Sequence, residues 1–161
     1  MKNKKNLQIQ LRSITDNDSE FLYQVYRSTR EEEMALTGWT EEEIEHFLRM
    51  QFKFQNASYF KDYHNATFDI ILYNNIPVGR FYVDRGKNEI RIIDIALLPQ
   101  YRRKGIGSQI LKDLLEEAKQ QQGLLSLHVE YNNPAMILYE KLGFEKKELV
   151  GVYYLMEHST S

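Results

Sequence analysis

The 161-residue chain contains no cysteine, and this absence removes several kinds of chemistry. Without thiols the protein has no disulfide, no thiolate metal site and no cysteine nucleophile. Long apolar runs are also missing, and none approaches the roughly 20 residues that a membrane-spanning helix needs. A chain without cysteine fits a reducing compartment, so we expect a cytoplasmic protein that does not act at a membrane.

A strong excess of one charge is likewise missing. The 21 basic and 23 acidic residues leave a net charge of -2 and a pI near 6.1, which gives no overall field to attract nucleic acid. The four histidines show no metal-ligand spacing, so we predict no metal site. The basic residues 1–6 precede an alternating segment and not an apolar signal core, so we expect no secretion.

What the sequence does contain is a regular succession of strand and helix patterns that fits one domain over residues 1–161. The predicted elements are a strand at 7–11, a helix after Thr15 or Asp16, a helix with a capping box at Thr40, a hairpin of 67–73 and 76–83 turned at Asn74-Asn75, a strand at 89–98, a helix from 106 toward 122, a strand at 125–130, a short helix at 134–142 and strands at 144–150 and 152–156. The strands at 89–98 and 125–130 should be parallel, because a helical crossover separates them.

A glycine-rich turn joins the strand at 89–98 to the next helix, with the sequence Arg102-Arg103-Lys104-Gly105-Ile106-Gly107-Ser108. A helix start directs unpaired N–H groups and the positive end of the helix dipole at one point, and glycines let a ligand approach closely. This pattern favours phosphate binding, although a tight turn beside solvated cations would look the same. An ATP P-loop and a dinucleotide fingerprint are disfavoured, because Ser108-Gln109 follows Gly107 and the third glycine is replaced by Ile110.

A second segment, at residues 132–144, reads Asn-Asn-Pro-Ala-Met-Ile-Leu-Tyr-Glu-Lys-Leu-Gly-Phe. Together with the Arg102-x-x-Gly105-x-Gly107 turn it resembles the GNAT acyltransferase superfamily, whose pattern is Arg/Gln-x-x-Gly-x-Gly/Ala and then Asn-x-x-Ala-x-x-x-Tyr-x-x-x-Gly-Phe. The strong match covers residues 91–147, about a third of the chain. The resemblance implies an α/β GNAT fold: a mostly antiparallel central sheet with one parallel pair splayed at the cofactor site, and helices on both faces. It also implies N-acetyltransferase activity with acetyl-CoA as donor and a primary amine as acceptor.

The resemblance further implies where the donor binds. The pyrophosphate of coenzyme A would lie on the main-chain amides of residues 103–108, and its pantetheine arm would run along residues 96–98 like an added strand, which requires the parallel strands to separate. The asparagines at 132 and 133 match a family position that contacts this arm, although Asn-Asn-Pro is also an ordinary helix cap. The predicted donor-binding residues are Ala96, Leu97, Leu98, Arg102, Arg103, Lys104, Gly105, Ile106, Gly107, Ser108, Asn132 and Asn133.

Two side chains are predicted to be catalytic. By resemblance, Tyr139 hydrogen-bonds or donates a proton to the coenzyme A sulfur, and a phenol with a pKa near 10 stays protonated at neutral pH. The alternative is that Tyr139, one of 11 tyrosines, only packs on the core face of its helix. The candidate proton acceptors are Asp94 and Glu130. Asp94 is preferred, because a charge between Ile93 and Ile95 is costly to bury without a partner, but a salt bridge or an exposed strand face would also explain it.

The lack of cysteine favours direct attack by the amine in a ternary complex. A non-catalytic module that binds coenzyme A or an acyl-CoA is the alternative, because no side chain is an unmistakable general base. The acceptor, a small-molecule or a peptide or protein amine, is left open. Residues 30–39 lie where the family places its substrate loop, so Trp39 and the nearby acids could receive a cationic amine. The simpler interpretations are a solvated helix end and a tryptophan in the core. A homodimer through the apolar carboxy-terminal strands is also left open.

Overall fold

The computed structural model describes residues 8–159, and these form a seven-stranded sheet with five α-helices. In chain order the elements are β1 (Ile9–Ser13), α1 (Ser19–Ser28), α2 (Glu31–Ala35), α3 (Glu41–Asp62), β2 (Ala66–Tyr73), β3 (Ile76–Arg85), β4 (Glu89–Leu97), α4 (Ile106–Gln120), β5 (Leu124–Glu130), α5 (Ala135–Lys141), β6 (Glu145–Val150) and β7 (Tyr153–Ser159). Short 3-10 turns lie at Asp16–Asp18 and Pro99–Tyr101. The predicted residue Leu7 and the basic residues 1–6 lie outside the described residues.

The strand order in the sheet is β1-β2-β3-β4-β5-β7-β6. The β4–β5 pair is parallel, whereas β1–β2, β5–β7 and β6–β7 are antiparallel. The predicted mixed fold, with a mostly antiparallel sheet and one parallel pair, is therefore confirmed. None of the helices within residues 8–159 combines the length and apolar character that crossing a bilayer requires.

The chain forms two compact units, and the first contains the residues up to Phe81 together with Ala96–Arg102. Its helix starts follow the sequence signals. The Thr40 hydroxyl accepts from the Glu43 N–H at 3.1 Å, and the Glu43 carboxylate accepts from the Thr40 N–H at 2.8 Å, which is the predicted capping box. The core cluster of this unit consists of Leu22, Tyr23, Tyr26, Met34, Leu48, Phe52 and Ile70.

Two local details of the first unit differ from the prediction. Thr15 caps the 3-10 turn at Asp16–Asp18, and α1 begins only after that turn. The helix α2 was not predicted, because five residues are too few to show a helical period and only Met34 among them is buried.

The second unit contains Tyr82–Ile95 and the residues from Arg103 onward. It includes β4 as far as Ile95, the crossover helix α4 and the strand β5. The helix α4 buries the predicted apolar stripe, namely Ile106, Ile110, Leu111, Leu114 and Ala118. The prediction of a single domain over residues 1–161 stays a prediction.

Candidate functional site

The parallel strands β4 and β5 pair over only part of their length. Pairing runs from Glu89 opposite Leu124 to Ile92 opposite Leu127. Both strands continue, β4 to Leu97 and β5 to Glu130, but within the described part of the chain they share no paired residues past that point. This is the separation that the resemblance implied, and we call residues 93–95 and 128–130 the open end of the pair. An extended molecule can pair with the edge of a strand through main-chain hydrogen bonds.

The opposite half of the pair, at Glu89–Ile92 and Leu124–Leu127, is tied by side chains, and we call it the closed end. The buried Ser126 hydroxyl donates to the Glu89 carboxylate and accepts from Arg91 Nε at 2.7 Å. Arg91 also donates to Glu89 at 3.1 Å, and its other terminal nitrogen lies 3.3 Å from His128 Nδ1. Sequence analysis missed this cluster, because its members come from two strands separated by a helix.

The glycine-rich turn has the backbone of an anion site. Gly105 adopts φ 87°, a left-handed conformation that suits glycine, and Arg103 adopts φ 60°, which is uncommon outside glycine. The first main-chain bond of α4 is donated by Gln109 to the Gly105 carbonyl at 3.0 Å. Within residues 8–159, no protein acceptor is assigned to the N–H groups of residues 103–108. Six consecutive amides at a helix start can therefore bind a phosphate or diphosphate.

The Arg102 side chain donates hydrogen bonds to other residues of the first unit. Its Nε donates to the Leu97 carbonyl at 2.9 Å, and its Nη2 donates to the Ser28 hydroxyl at 3.3 Å. Leu98 is engaged as well, since its N–H donates to the Val78 carbonyl and its carbonyl accepts from the Tyr101 N–H, both at 2.9 Å. Contact of residues 96–98 with a donor stays a prediction.

Tyr139 and Asp94, the two predicted catalytic residues, both lie in the second unit and within electrostatic reach of each other. Burial raises the pKa of the Tyr139 phenol, and the negative charge of Asp94 raises that pKa further. The Tyr139 ring also packs edge-on against Phe144, with centroids 5.8 Å apart. Tyr139 therefore both packs in the core and lies near Asp94, and its phenol remains protonated across the neutral pH range. Glu130, the other candidate base, ends β5 at the open end.

The two asparagines before α5 differ in their roles. The Asn133 side-chain oxygen accepts from the Ala135 N–H at 2.9 Å, as a capping residue does, but α5 begins at Ala135 with Pro134 in the cap position, one residue later than predicted. The Asn133 N–H donates to the Glu130 carbonyl at 3.0 Å and so fixes the start of the loop to the end of β5. Asn132 is exposed. Contact of either side chain with a donor stays a prediction.

Trp39 lies beside a shallow depression in the first unit and not in the core. The depression, about 400 Å³, is lined by Trp39, Glu42, Glu43, His46 and Phe47. Trp39 is 43% exposed, and its ring meets Phe47 edge-on at 5.2 Å. The interpretation of Trp39 as a core residue is therefore wrong, because the residue directly before the Thr40 cap packs on the outside of α3. Contact with an acceptor amine stays a prediction.

Comparison with known proteins identifies the family. An acetyltransferase (GNAT) family model matches residues 21–144. The N-alpha-acetyltransferase of Saccharolobus solfataricus is 36% identical over 66 residues, which are 39% of this chain and 40% of that protein. The [ribosomal protein bS18]-alanine N-acetyltransferase of Haemophilus influenzae is 33% identical over 86 residues, 52% of this chain and 58% of that protein. The chain thus spans less than two thirds of the length of each of these relatives.

Among solved structures, the PaiA N-acetyltransferase of Thermoplasma acidophilum in complex with coenzyme A superposes with a TM-score of 0.69. The superposition covers 94% of this chain and 98% of that one at 23% identity, so this likeness concerns the fold. The family model extends over most of the chain and includes both the glycine-rich turn and Tyr139. The protein belongs to the acetyltransferase (GNAT) family.

Proposed function

We propose that the protein is an N-acetyltransferase that moves an acetyl group from acetyl-CoA to a primary amine. The observation that carries this proposal is the open end of the β4–β5 pair, followed in the chain by a turn with six unassigned main-chain amides. Family membership supports acyl transfer as the chemistry. The two named relatives support an amine as the acceptor, because both are N-acetyltransferases by name.

The residues present fit coenzyme A as the donor. The amides of residues 103–108 and the dipole of α4 suit its diphosphate. Main-chain groups of Ala96 and Leu97 suit the two amide groups of its pantetheine arm, which can pair with β4 as a strand would. When bound, the acetyl thioester supplies an electrophilic carbonyl and a thiolate leaving group.

Tyr139 and Asp94 then divide the proton chemistry. The Tyr139 hydroxyl donates a hydrogen bond to the leaving sulfur, and Asp94 accepts a proton from the incoming amine. The two roles are coupled, because the charge of Asp94 raises the pKa of Tyr139. Once Asp94 is protonated this contribution is lost, so the phenol becomes a stronger hydrogen-bond donor as negative charge builds on the sulfur.

The coupling can be measured with Asp94→Asn. We expect this variant to lower the pKa of Tyr139 toward its ordinary value, although burial keeps it raised. Tyrosine ultraviolet difference spectra, corrected with Asp94→Asn/Tyr139→Phe to remove the other tyrosines, report that pKa. An unchanged Tyr139 titration together with unchanged turnover would remove Asp94 from the site.

We propose direct attack by the amine in a ternary complex, because no cysteine is present to carry the acetyl group. Initial-velocity lines for donor and amine should intersect, and incubation with acetyl-CoA alone should add no acetyl mass to the protein. Parallel lines with a stable acetylated protein would instead establish an acyl-enzyme route.

For the acceptor we propose a peptide or protein α-amine as the first class to test, because both relatives are named for such substrates. A matched pair of peptides, one with a free and one with a blocked amino terminus, isolates the α-amine. Small-molecule amines form the second half of the panel. If only small amines are acetylated, the acceptor class changes while the donor proposal stands.

The decisive experiment is calorimetry with coenzyme A and acetyl-CoA, followed by thioester consumption against the amine panel. Saturable binding should be accompanied by thermal stabilisation, about 2.7 kcal/mol at a ligand concentration of 100 times Kd. No heat and no stabilisation would refute the proposal. Binding without turnover on any amine would favour the alternative, a non-catalytic acyl-CoA-binding module.

A cytoplasmic location and a homodimer stay predictions. Cell fractionation with an antibody against the native chain checks the location. Light scattering after size-exclusion chromatography checks the oligomeric state.

A further inference from the structure

One glycine stands in the interior of β3, where a glycine weakens a strand. Gly79 is buried and is not among the described residues with positive φ, so its backbone does not require glycine. The reason is steric. A Cβ added at Gly79 would lie 2.2 Å from the Ala96 carbonyl oxygen and 3.1 Å from Leu97 Cα. The main chain of β4 therefore occupies the space that a side chain on β3 would fill.

The segment next to Gly79, residues 96 and 97, is the one predicted to bind the pantetheine arm. Around it the main chain is fixed at two points, since Leu98 bonds to Val78 and Arg102 bonds to the Leu97 carbonyl. Ala96 lies between the paired part of β4 and these fixed points. Its carbonyl oxygen lies in the space that a Cβ at Gly79 would occupy.

We propose that Gly79 is a positioning residue for the donor: by leaving out a side chain it lets the Ala96 carbonyl lie against β3, which sets the main-chain groups of Ala96 and Leu97 where the pantetheine arm binds. This inference rests on the proposed function. An alanine at position 79 needs a displacement of at least 0.8 Å, because real Cβ atoms essentially never approach within 3.0 Å of another heavy atom. Misplacement on that scale is enough to cost up to about a hundredfold in a positioned reaction.

The test compares two ligands on Gly79→Ala, namely coenzyme A and 3′-phospho-ADP, which is coenzyme A without its pantetheine arm. We expect the Kd of coenzyme A and the KM of acetyl-CoA to rise about tenfold or more, while the Kd of 3′-phospho-ADP stays within about twofold. The KM of the amine should change little. Gly86→Ala is the matched control. Gly86 lies in the turn between β3 and β4, where an added Cβ would lie 3.0 Å from the Glu89 carbonyl oxygen.

Ile70→Val and Ile70→Ala control for a general loss of stability. They remove buried atoms from β2 and should weaken the binding of both ligands equally or of neither. Adding Leu97→Ala to Gly79→Ala relieves the clash with the Leu97 side chain but not with the Ala96 carbonyl, so it should not restore coenzyme A affinity. Full restoration would assign the effect to side-chain crowding and overturn the inference.

Wild-type affinity of Gly79→Ala for coenzyme A would also overturn it, as would an equal loss for both ligands that matches the Ile70 variants. If wild-type protein binds neither ligand, the proposed function fails instead. Should Gly79→Ala not fold, hydrogen exchange on the wild type decides: coenzyme A should protect residues 94–98, and 3′-phospho-ADP should protect only residues 102–109. Equal protection of residues 94–98 by both ligands would contradict the proposed role.

Discussion

The two halves of the β4–β5 pair come from the same strands but differ in how their polar groups are hydrogen-bonded. At the closed end, main-chain pairing is complete and Ser126, Arg91 and Glu89 bond to one another. At the open end β4 and β5 are not paired with each other within the described chain, and Asp94, the proposed proton acceptor, lies there. The polar groups of the closed end are therefore hydrogen-bonded within the protein. We propose that the donor binds at the open end, and the closed end holds the two strands in register beside it.

The difference predicts that changes at the open end alter turnover and changes at the closed end alter stability. Tyr139 lies in α5, within electrostatic reach of Asp94 at the open end, and Tyr139→Phe should have the largest effect, because the hydroxyl acts when charge develops on the sulfur. We expect kcat to fall by about a hundredfold, with the Kd of coenzyme A within about twofold. Steady-state kinetics across pH and calorimetry measure the two quantities.

Tyr131→Phe is the control for this variant, since Tyr131 is 59% exposed. It should leave both quantities unchanged. A Tyr139→Phe enzyme with wild-type kcat at every pH would show that Tyr139 only packs against Phe144 and that the open end has another proton donor.

At the closed end, Ser126→Ala should cost about 1–2 kcal/mol in the free energy of unfolding, because a buried hydroxyl with two charged partners is removed. For a chain of this size the melting temperature should drop by roughly 2–8 °C. Turnover and coenzyme A affinity should stay within about twofold, as measured on folded protein. Ser58→Ala, at an exposed hydroxyl bonded to Asp62, should have almost no effect. Loss of coenzyme A binding without loss of stability would contradict the division.

Sequence patterns predicted the strands and the turn of this region but not the difference in hydrogen bonding between its two ends. Strong signals, such as the Thr40 capping box, the Asn74-Asn75 turn and the apolar stripe of α4, act over a few residues and appear in the structure. The turn at residues 103–108 was predicted for the same reason. Its left-handed Arg103 was not, because nothing in the sequence marks a non-glycine residue for positive φ.

Features that depend on contacts between distant residues were missed. The bonds of Ser126 to Arg91 and Glu89 join residues about 35 positions apart, and no local spacing encodes them. The contact between Gly79 and Ala96 is of the same kind. The end of α4 shows the same limit locally: the left-handed residue there is Gln122 and not the glycine that follows it, and Gly123 donates its N–H to the Ala118 carbonyl at 2.9 Å.

The smallest expected effect concerns His128, which lies where the closed end passes into the open end. Partial burial lowers the pKa of His128, and the charge of Arg91 lowers it further, while Glu148 and Glu89 act in the opposite direction. A histidine whose pKa is lowered by folding binds fewer protons in the folded than in the unfolded state. Its effect on stability is therefore absent well above the unfolded pKa of 6.5 and becomes destabilising as pH falls below that value.

We expect wild-type protein to lose a few tenths of a kcal/mol more than His128→Asn when the pH is lowered from about 7.5 to about 5.5, the small size reflecting an exposed side chain. Denaturant unfolding of both proteins at the two pH values measures the difference, and nuclear magnetic resonance titration of the His128 ring gives its pKa directly. A pKa of His128 above 6.5 would reverse the sign, because the attraction of Glu148 and Glu89 would then outweigh burial and the charge of Arg91, and protonation would stabilise the fold in acid.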